Sequence, residues 1–108
     1  MRYEDIWELY KDGGLEDFIG QIPDVDALDT IHSAMYENAQ DVGLNKDQIS
    51  RAMQNVNFEV GRKHMLDERD MAYLTRTSMS QLDKEVANEI MRGQIIGIAK
   101  LIEQKLAE

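Results

Sequence analysis

Asp24, Asp26 and Asp29 lie within six residues of one another, a density of oxygen ligands that would suit a hard divalent cation. A calcium loop needs those oxygens to converge around a central glycine with a glutamate further on, and neither stands at the required spacing. At helical spacing the same carboxylates mark a helix start, where solvated aspartates meet the positive end of the backbone dipole. His32 and His64 are the two histidines, too few for a histidine cage and outside any His-Glu-x-x-His pattern. With no cysteine in the chain, disulfides, thiolate nucleophiles and cysteine-bound zinc or iron–sulfur centres are excluded. General acid–base work by paired carboxylates needs one member held in an apolar pocket, and nothing sets any of the 21 acidic residues apart in that way. There is also no glycine-rich phosphate loop, nucleophile elbow or interpretable Ser, His and Asp grouping. The sequence therefore predicts no catalytic residue, no metal, no cofactor and no enzyme.

What the acidic residues do offer is a field. The formal net charge of −9 belongs to one half of the chain: residues 1–45 carry eleven acids against Arg2 and Lys11, while the remainder carries ten of each sign. Such asymmetry implies either a cationic partner or pairing between the acidic half and the later arginines. At 108 residues, 43% of them hydrophobic, the chain is long enough for one domain with one core, 1–108. No apolar run approaches the roughly 20 residues that span a bilayer, and Met1-Arg2-Tyr3-Glu4-Asp5 lacks the pattern of a secretory signal. A cytoplasmic protein, or one in a host cytoplasm if viral, is expected.

The elements that must carry these residues read as all-α, a compact bundle of about four to five helices with a long C-terminal helix. Tyr3, Ile6, Trp7 and Tyr10 fall at helical spacing over 3–11, and Asp12-Gly13-Gly14 is a stop. Leu15, Phe18, Ile19 and Ile22 predict one or two further turns closed by Pro23. From 24 to 42, Val25, Leu28, Ile31, His32, Met35, Ala39 and Val42 share a face, with Asp24 as cap and Gly43 as terminator. Asp26, Asp29, Glu37 and Asp41 fall on the other side and form the candidate acidic partner face. Asn45 and Gln48 have the form of a capping box opening a helix to about Gly61. A shorter helix is expected around 67–76, with Thr77-Ser78-Met79-Ser80 as a polar joint capping a last helix over about 81–106. Arg62, Arg69 and Arg76 recur every seven residues and would share one face if that region were continuous. His64, beside Arg62 and Lys63, would join a basic patch.

Residues 38–53, from Asn38 to Met53, resemble the helix-turn-helix of phage Cro- and CII-type regulators. Ala39 matches the small residue packed between the helices, Gly43 the turn, and Val42, Leu44 and Ile49 the flanking and recognition-helix aliphatics. The resemblance implies that Asn45, Lys46, Gln48, Ser50 and Arg51 face a DNA major groove, where Gln and Arg read base edges. Asn38 stands where that family carries an apolar residue. The acids at Asp41, Asp47 and throughout the N-terminal half oppose the phosphates that supply most DNA affinity.

In the last helix two apolar stripes are separable. One runs Leu82, Val86, Ile90, Gly93, Gly97 and Leu101; the other, Met91, Ile95, Ile98, Ile102 and Leu106, is the candidate oligomer interface. Gly93 and Gly97 each cost about 1 kcal/mol against alanine in a helix, so a close helix–helix approach is expected there. The sequence thus points to a non-enzymatic protein-interaction module, self-associating through its last helix as a homo-oligomer and offering an acidic face to a basic protein, in the limit as a nucleic-acid mimic or inhibitor. A phage-type helix-turn-helix regulator, with nucleic acid as partner, is the alternative, and a viral assembly component a further one.

Overall fold

Helical periodicity is realised in seven helices among the described residues, with connections that contain no strand: α1 Tyr3–Lys11, α2 Leu15–Gly20, α3 Val25–Asp41, α4 Lys46–Lys63, α5 Glu68–Ala72, α6 Arg76–Met79 and α7 Lys84–Leu106. The structure, a computed structural model, describes residues 3–22, 25–72, 74 and 76–108, with the side chains of Tyr3, Glu4, Ala72, Arg76 and Thr77 left aside. The expected Asp24 cap, the Pro23 stop and the Tyr3 and Arg76 side chains lie outside the described residues. No helix among the described residues is long and apolar enough to cross a membrane.

Three of the helices end by one device. A backbone N–H reaches back five residues, Gly14 to the Leu9 carbonyl at 2.9 Å, Leu44 to Ala39 at 3.0 Å and Leu66 to Gly61 at 2.8 Å, which satisfies carbonyls that the helix end leaves open. That turn needs a left-handed residue just before the donor. Gly13 (φ +79°) and Gly43 (φ +101°) supply it for α1 and α3, but α4 uses Met65 at φ +59°. A Cβ in that region costs roughly 1–2 kcal/mol, and glycine avoids the cost. Met65, 92% exposed, has little packing to lose. Met65→Gly is therefore expected to raise the urea or thermal midpoint by about 1 kcal/mol of stability, and a lowered midpoint would contradict that end geometry. Helix α4 runs two residues beyond the expected Gly61 because Gly61 is itself helical, its missing Cβ making room for Met71: a methyl there would lie 2.6 Å from the Met71 Cγ.

The core is organised around α7. Helices α3 and α4 both pack along it, α2 joins them, and α1 lies against α3 and α2, whereas α3 and α4 touch each other little. Ten residues of α7 are buried, among them Val86, Ile90, Met91, Ile95, Ile98 and Ile102. This corrects the expected oligomer interface: Met91, Ile95, Ile98 and Ile102 are 0–3% exposed inside the chain's own core, leaving Leu106 at 54%. A helix at the centre of a bundle is covered from several directions, so its two apolar stripes both have cover without a second subunit. Gly93 and Gly97 do make the close approach expected of them, against Val56 of α4.

Between α4 and α7 the expected organisation changes. In place of one helix over 67–76, α5 ends at Ala72 and α6 begins at Arg76, and Ser78 and Met79, expected in a polar joint, form part of a helical turn with Met79 buried. The cap of α7 is Asp83, whose carboxylate accepts the Glu85 N–H at 2.9 Å, as aspartate does at helix starts. Arg92 of α7 donates to the carbonyls of Ile19 and Ile22 at 3.0 and 2.6 Å, placing a guanidinium on the negative end of α2, which has no basic residue in its own last turn.

Tyr10 ties α1 to the far end of α7 by donating its hydroxyl hydrogen to the Glu103 carboxylate. Burial, then the hydrogen bond to Glu103 and its negative charge, push the phenol up to about 12. Because the folded value lies above the unfolded one of about 10, the contribution is complete below pH ~10 and is lost as pH rises through about 12. An ultraviolet phenolate titration should show a component near pH 12 that Tyr10→Phe removes. If the two titrations superimpose, the Tyr10–Glu103 contact is wrong.

Candidate functional site

Helix α3 is straight enough in its pattern to define an outer face. Leu28, Ile31, Met35 and Ala39 are buried and turn inward, so by the helical period Asp26, Thr30, Ser33, Glu37 and Asp41 turn outward, and all are exposed. Asp26, Glu37 and Asp41 thus form one stripe spanning about 22 Å at 1.5 Å per residue. Asp29 departs from the expected set: it is half-buried and lines a cleft. The arginines expected to neutralise the acidic half do not reach Glu37 or Asp41 among the described residues. Glu37 and Asp41, like Asp12, Glu16 and Asp17, are exposed and make no ion pair among the described residues.

Nor is there an arginine stripe. Helix α4 stops at Lys63 and α5 begins at Glu68, so Arg62 and Arg69 sit on different helices. Lys63 and His64 are drawn instead to Glu89 of α7, Lys63 by a direct ion pair and His64 Nε2 at 2.5 Å from the carboxylate. The hydrogen bond from Lys63, followed by that from His64, holds the Glu89 carboxyl below its ordinary value. His64 therefore closes α4 onto α7 rather than extending a basic patch.

The segment that resembles a helix-turn-helix keeps its local chemistry. Asn45 Oδ1 accepts the Gln48 N–H at 2.8 Å, and Gln48 Oε1 accepts the Asn45 N–H at 2.9 Å, a complete capping box. Two of the five side chains expected to face DNA, Asn45 and Gln48, are thereby committed to the helix start. Arg51 and Lys46 are exposed, but Ser50 is half-buried and turned to the cleft. Asn38, where the regulators carry an apolar residue, is buried with its Nδ2 unpaired among the described residues.

A cleft of about 260 Å³ opens between α3, α4 and α7. Its lining includes a chain of polar groups: His32 Nε2 lies 2.8 Å from Gln94 Oε1, and Gln94 Nε2 donates to Asn57 Oδ1 at 2.7 Å. Because an amide oxygen only accepts, His32 Nε2 carries the proton in this arrangement. Asn57 and Gln94 are 4% and 7% exposed, and each is held by its neighbour, as buried amides must be. His32, placed by sequence on the apolar stripe of α3, is half-buried and joins this network. Neither Asn57 nor Gln94 has a role in the sequence reading; the available signal was a polar amide at an inward position, between Val56 and Val60 in one case and Met91 and Ile95 in the other.

No family model, curated protein or solved structure matches this chain.

Proposed function

We propose that this domain is a non-enzymatic protein-interaction module that presents the outer face of α3 to a basic surface on another protein. The observation that carries the reading is Glu37 and Asp41, exposed on one face and without a cation among the described residues to neutralise them. Like charges held along one helix repel, and a cationic partner relieves that repulsion while gaining long-range steering. Packing of α3 on α7 holds the stripe on a fixed scaffold, so little ordering cost accompanies binding. In its limiting form the partner is a DNA-binding protein and α3 stands in for a phosphate backbone. Self-association through the last helix is not part of the reading, since the residues for it are occupied by the core.

The capped glycine turn between α3 and α4 favours a second reading, a DNA-binding regulator, with Arg51 as its best-placed reader. Two assays separate them. Immobilised full chain should retain basic proteins that elute with salt, and neutralising Asp26, Glu37 and Asp41 to Asn or Gln should abolish retention. Labelled duplex DNA at low salt should show no shift. A shift abolished by Arg51→Ala, with no retention of basic protein, would replace the first reading by the second.

A further inference from the structure

We propose that the groove between α2, α4 and α7 receives a second copy of this chain, the two α7 helices packing antiparallel about a twofold axis so that Lys100 of each protomer reaches Glu59 of the other. This contact is separate from the acidic face of α3 and needs no basic partner. It is also separate from the stripe of Met91, Ile95, Ile98 and Ile102, which lies in the core.

The groove exists because α2 and α4 both pack on α7 but scarcely on each other among the described residues. Between them α7 shows Gly93, Ile96 and Gly97, all half-buried, with Val56 of α4 beside the glycines. An apolar floor inside a charged rim is the form of a protein–protein contact. The rim carries both signs: Glu59 and Lys100 line it, are exposed, and make no ion pair among the described residues. They stand apart within one chain because α4 runs antiparallel to α7. The Ala52 carbonyl lies by Gly97, Val56 by Gly93 and Gly97, and Lys63 pairs with Glu89. Glu59 is therefore about level with Gly93, and Lys100 is seven residues, about 10 Å, further along α7.

A twofold axis between Ile96 and Gly97 closes that gap, since it sets Lys100 of one α7 opposite Gly93 of the other. Glycine leaves room there for the lysine stem, and Glu59 stands alongside. Because the twofold repeats the contact, one groove supplies both members of two identical ion pairs. That self-complementarity selects a second copy as the occupant. Two chains of net charge −9 repel, but the groove is locally balanced: Glu16, Glu59 and Glu89 are matched by Arg92, Lys100 and the Lys63 that holds Glu89. The acidic helix is also turned away. Helix α3 packs on the Met91 and Gln94 side of α7, and Lys100, nine residues after Met91, lies about 180° around the helix from it.

The test is sedimentation equilibrium of the full chain over a range of concentration. Wild type is expected to pass from the mass of one chain to that of two, and a monomer at every concentration up to millimolar would overturn the contact. Lys100→Glu and Glu59→Lys should each weaken the dimer about tenfold or more, because each sets like charges together twice. Mixed in equal amounts, the two variants should associate as wild type does: the mixed dimer joins the two new charges in one contact and the two native ones in the other. Recovery on mixing cannot come from a folding defect in either variant. Unchanged dimer affinity in both single variants, or loss without recovery on mixing, would overturn the pairing of Lys100 with Glu59 across a twofold axis.

Discussion

Ile98→Glu is expected to abolish cooperative folding at neutral pH. Ile98 is fully buried on α7, the helix on which α2, α3 and α4 all pack. Replacing a buried aliphatic forfeits about 2–5 kcal/mol, and an unpaired carboxylate in that position adds a desolvation penalty of several kcal/mol more. The sum is comparable with the whole stability of a small domain, about 5–15 kcal/mol. Circular dichroism should show loss of the sigmoidal thermal transition. Leu106→Glu, at a position 54% exposed, should stay within about 0.5 kcal/mol of wild type. A helix whose Ile98 stripe faced another subunit would behave differently, keeping its fold and losing only mass. Native dichroism with an unchanged melt in Ile98→Glu would therefore contradict the central placement of α7.

Gly93→Ala should destabilise the protein by about 1–3 kcal/mol, although alanine is the better helix former by about 1 kcal/mol. A Cβ at position 93 would lie 2.6 Å from Cγ1 of Val56. Valine within a helix has one strongly preferred rotamer, so the methyl has nowhere to turn and α4 must move away from α7. Trimming that methyl removes the conflict. Val56→Ala in the Gly93→Ala background is expected to recover most of the loss, giving a favourable coupling energy in the double-mutant cycle. Gly97 is an internal control: its added Cβ would meet Val56 Cγ2 at 3.4 Å, close to ordinary contact, so Gly97→Ala should be neutral or stabilising by up to about 1 kcal/mol. Equal effects at positions 93 and 97 would be inconsistent with the packing of α4 on α7.

What the sequence made legible was local. The capping box at Asn45 and Gln48 and the glycine ends of α1 and α3 depend on residues within one turn, and the observed hydrogen bonds follow them. The third helix end was hidden because Met65 sits where glycine is the usual signal. A cluster of Thr and Ser before α7 offered the same capping chemistry as Asp83, and choosing between them required knowing that Met79 is buried. Periodicity located the apolar stripes of α7 but could not say what covers them, so a core helix read as an association helix. Contacts between distant segments were invisible for the same reason: Arg92 at the end of α2, His64 at Glu89, and the His32–Gln94–Asn57 chain. Asn57 and Gln94 did carry a signal, a polar residue at an inward helical position, but only its partner on another helix gives that signal meaning.

The acidic stripe occupies a middle position. Helical period alone puts Asp26, Glu37 and Asp41 on one side, while the absence of an ion pair at Glu37 and Asp41 among the described residues is a property of the fold. Location of the charges rather than net charge should set affinity, and equal-charge variants measure that directly. Glu37→Gln with Asp41→Asn removes two charges from the stripe, and Glu68→Gln with Asp70→Asn removes two exposed charges from the balanced half. Affinity for the retained basic partner, measured by calorimetry over a range of salt, should fall about tenfold or more in the first variant with a shallower salt dependence, and remain near wild type in the second. Equal losses in the two variants would show that the partner senses only overall acidity, and would contradict α3 as the binding face.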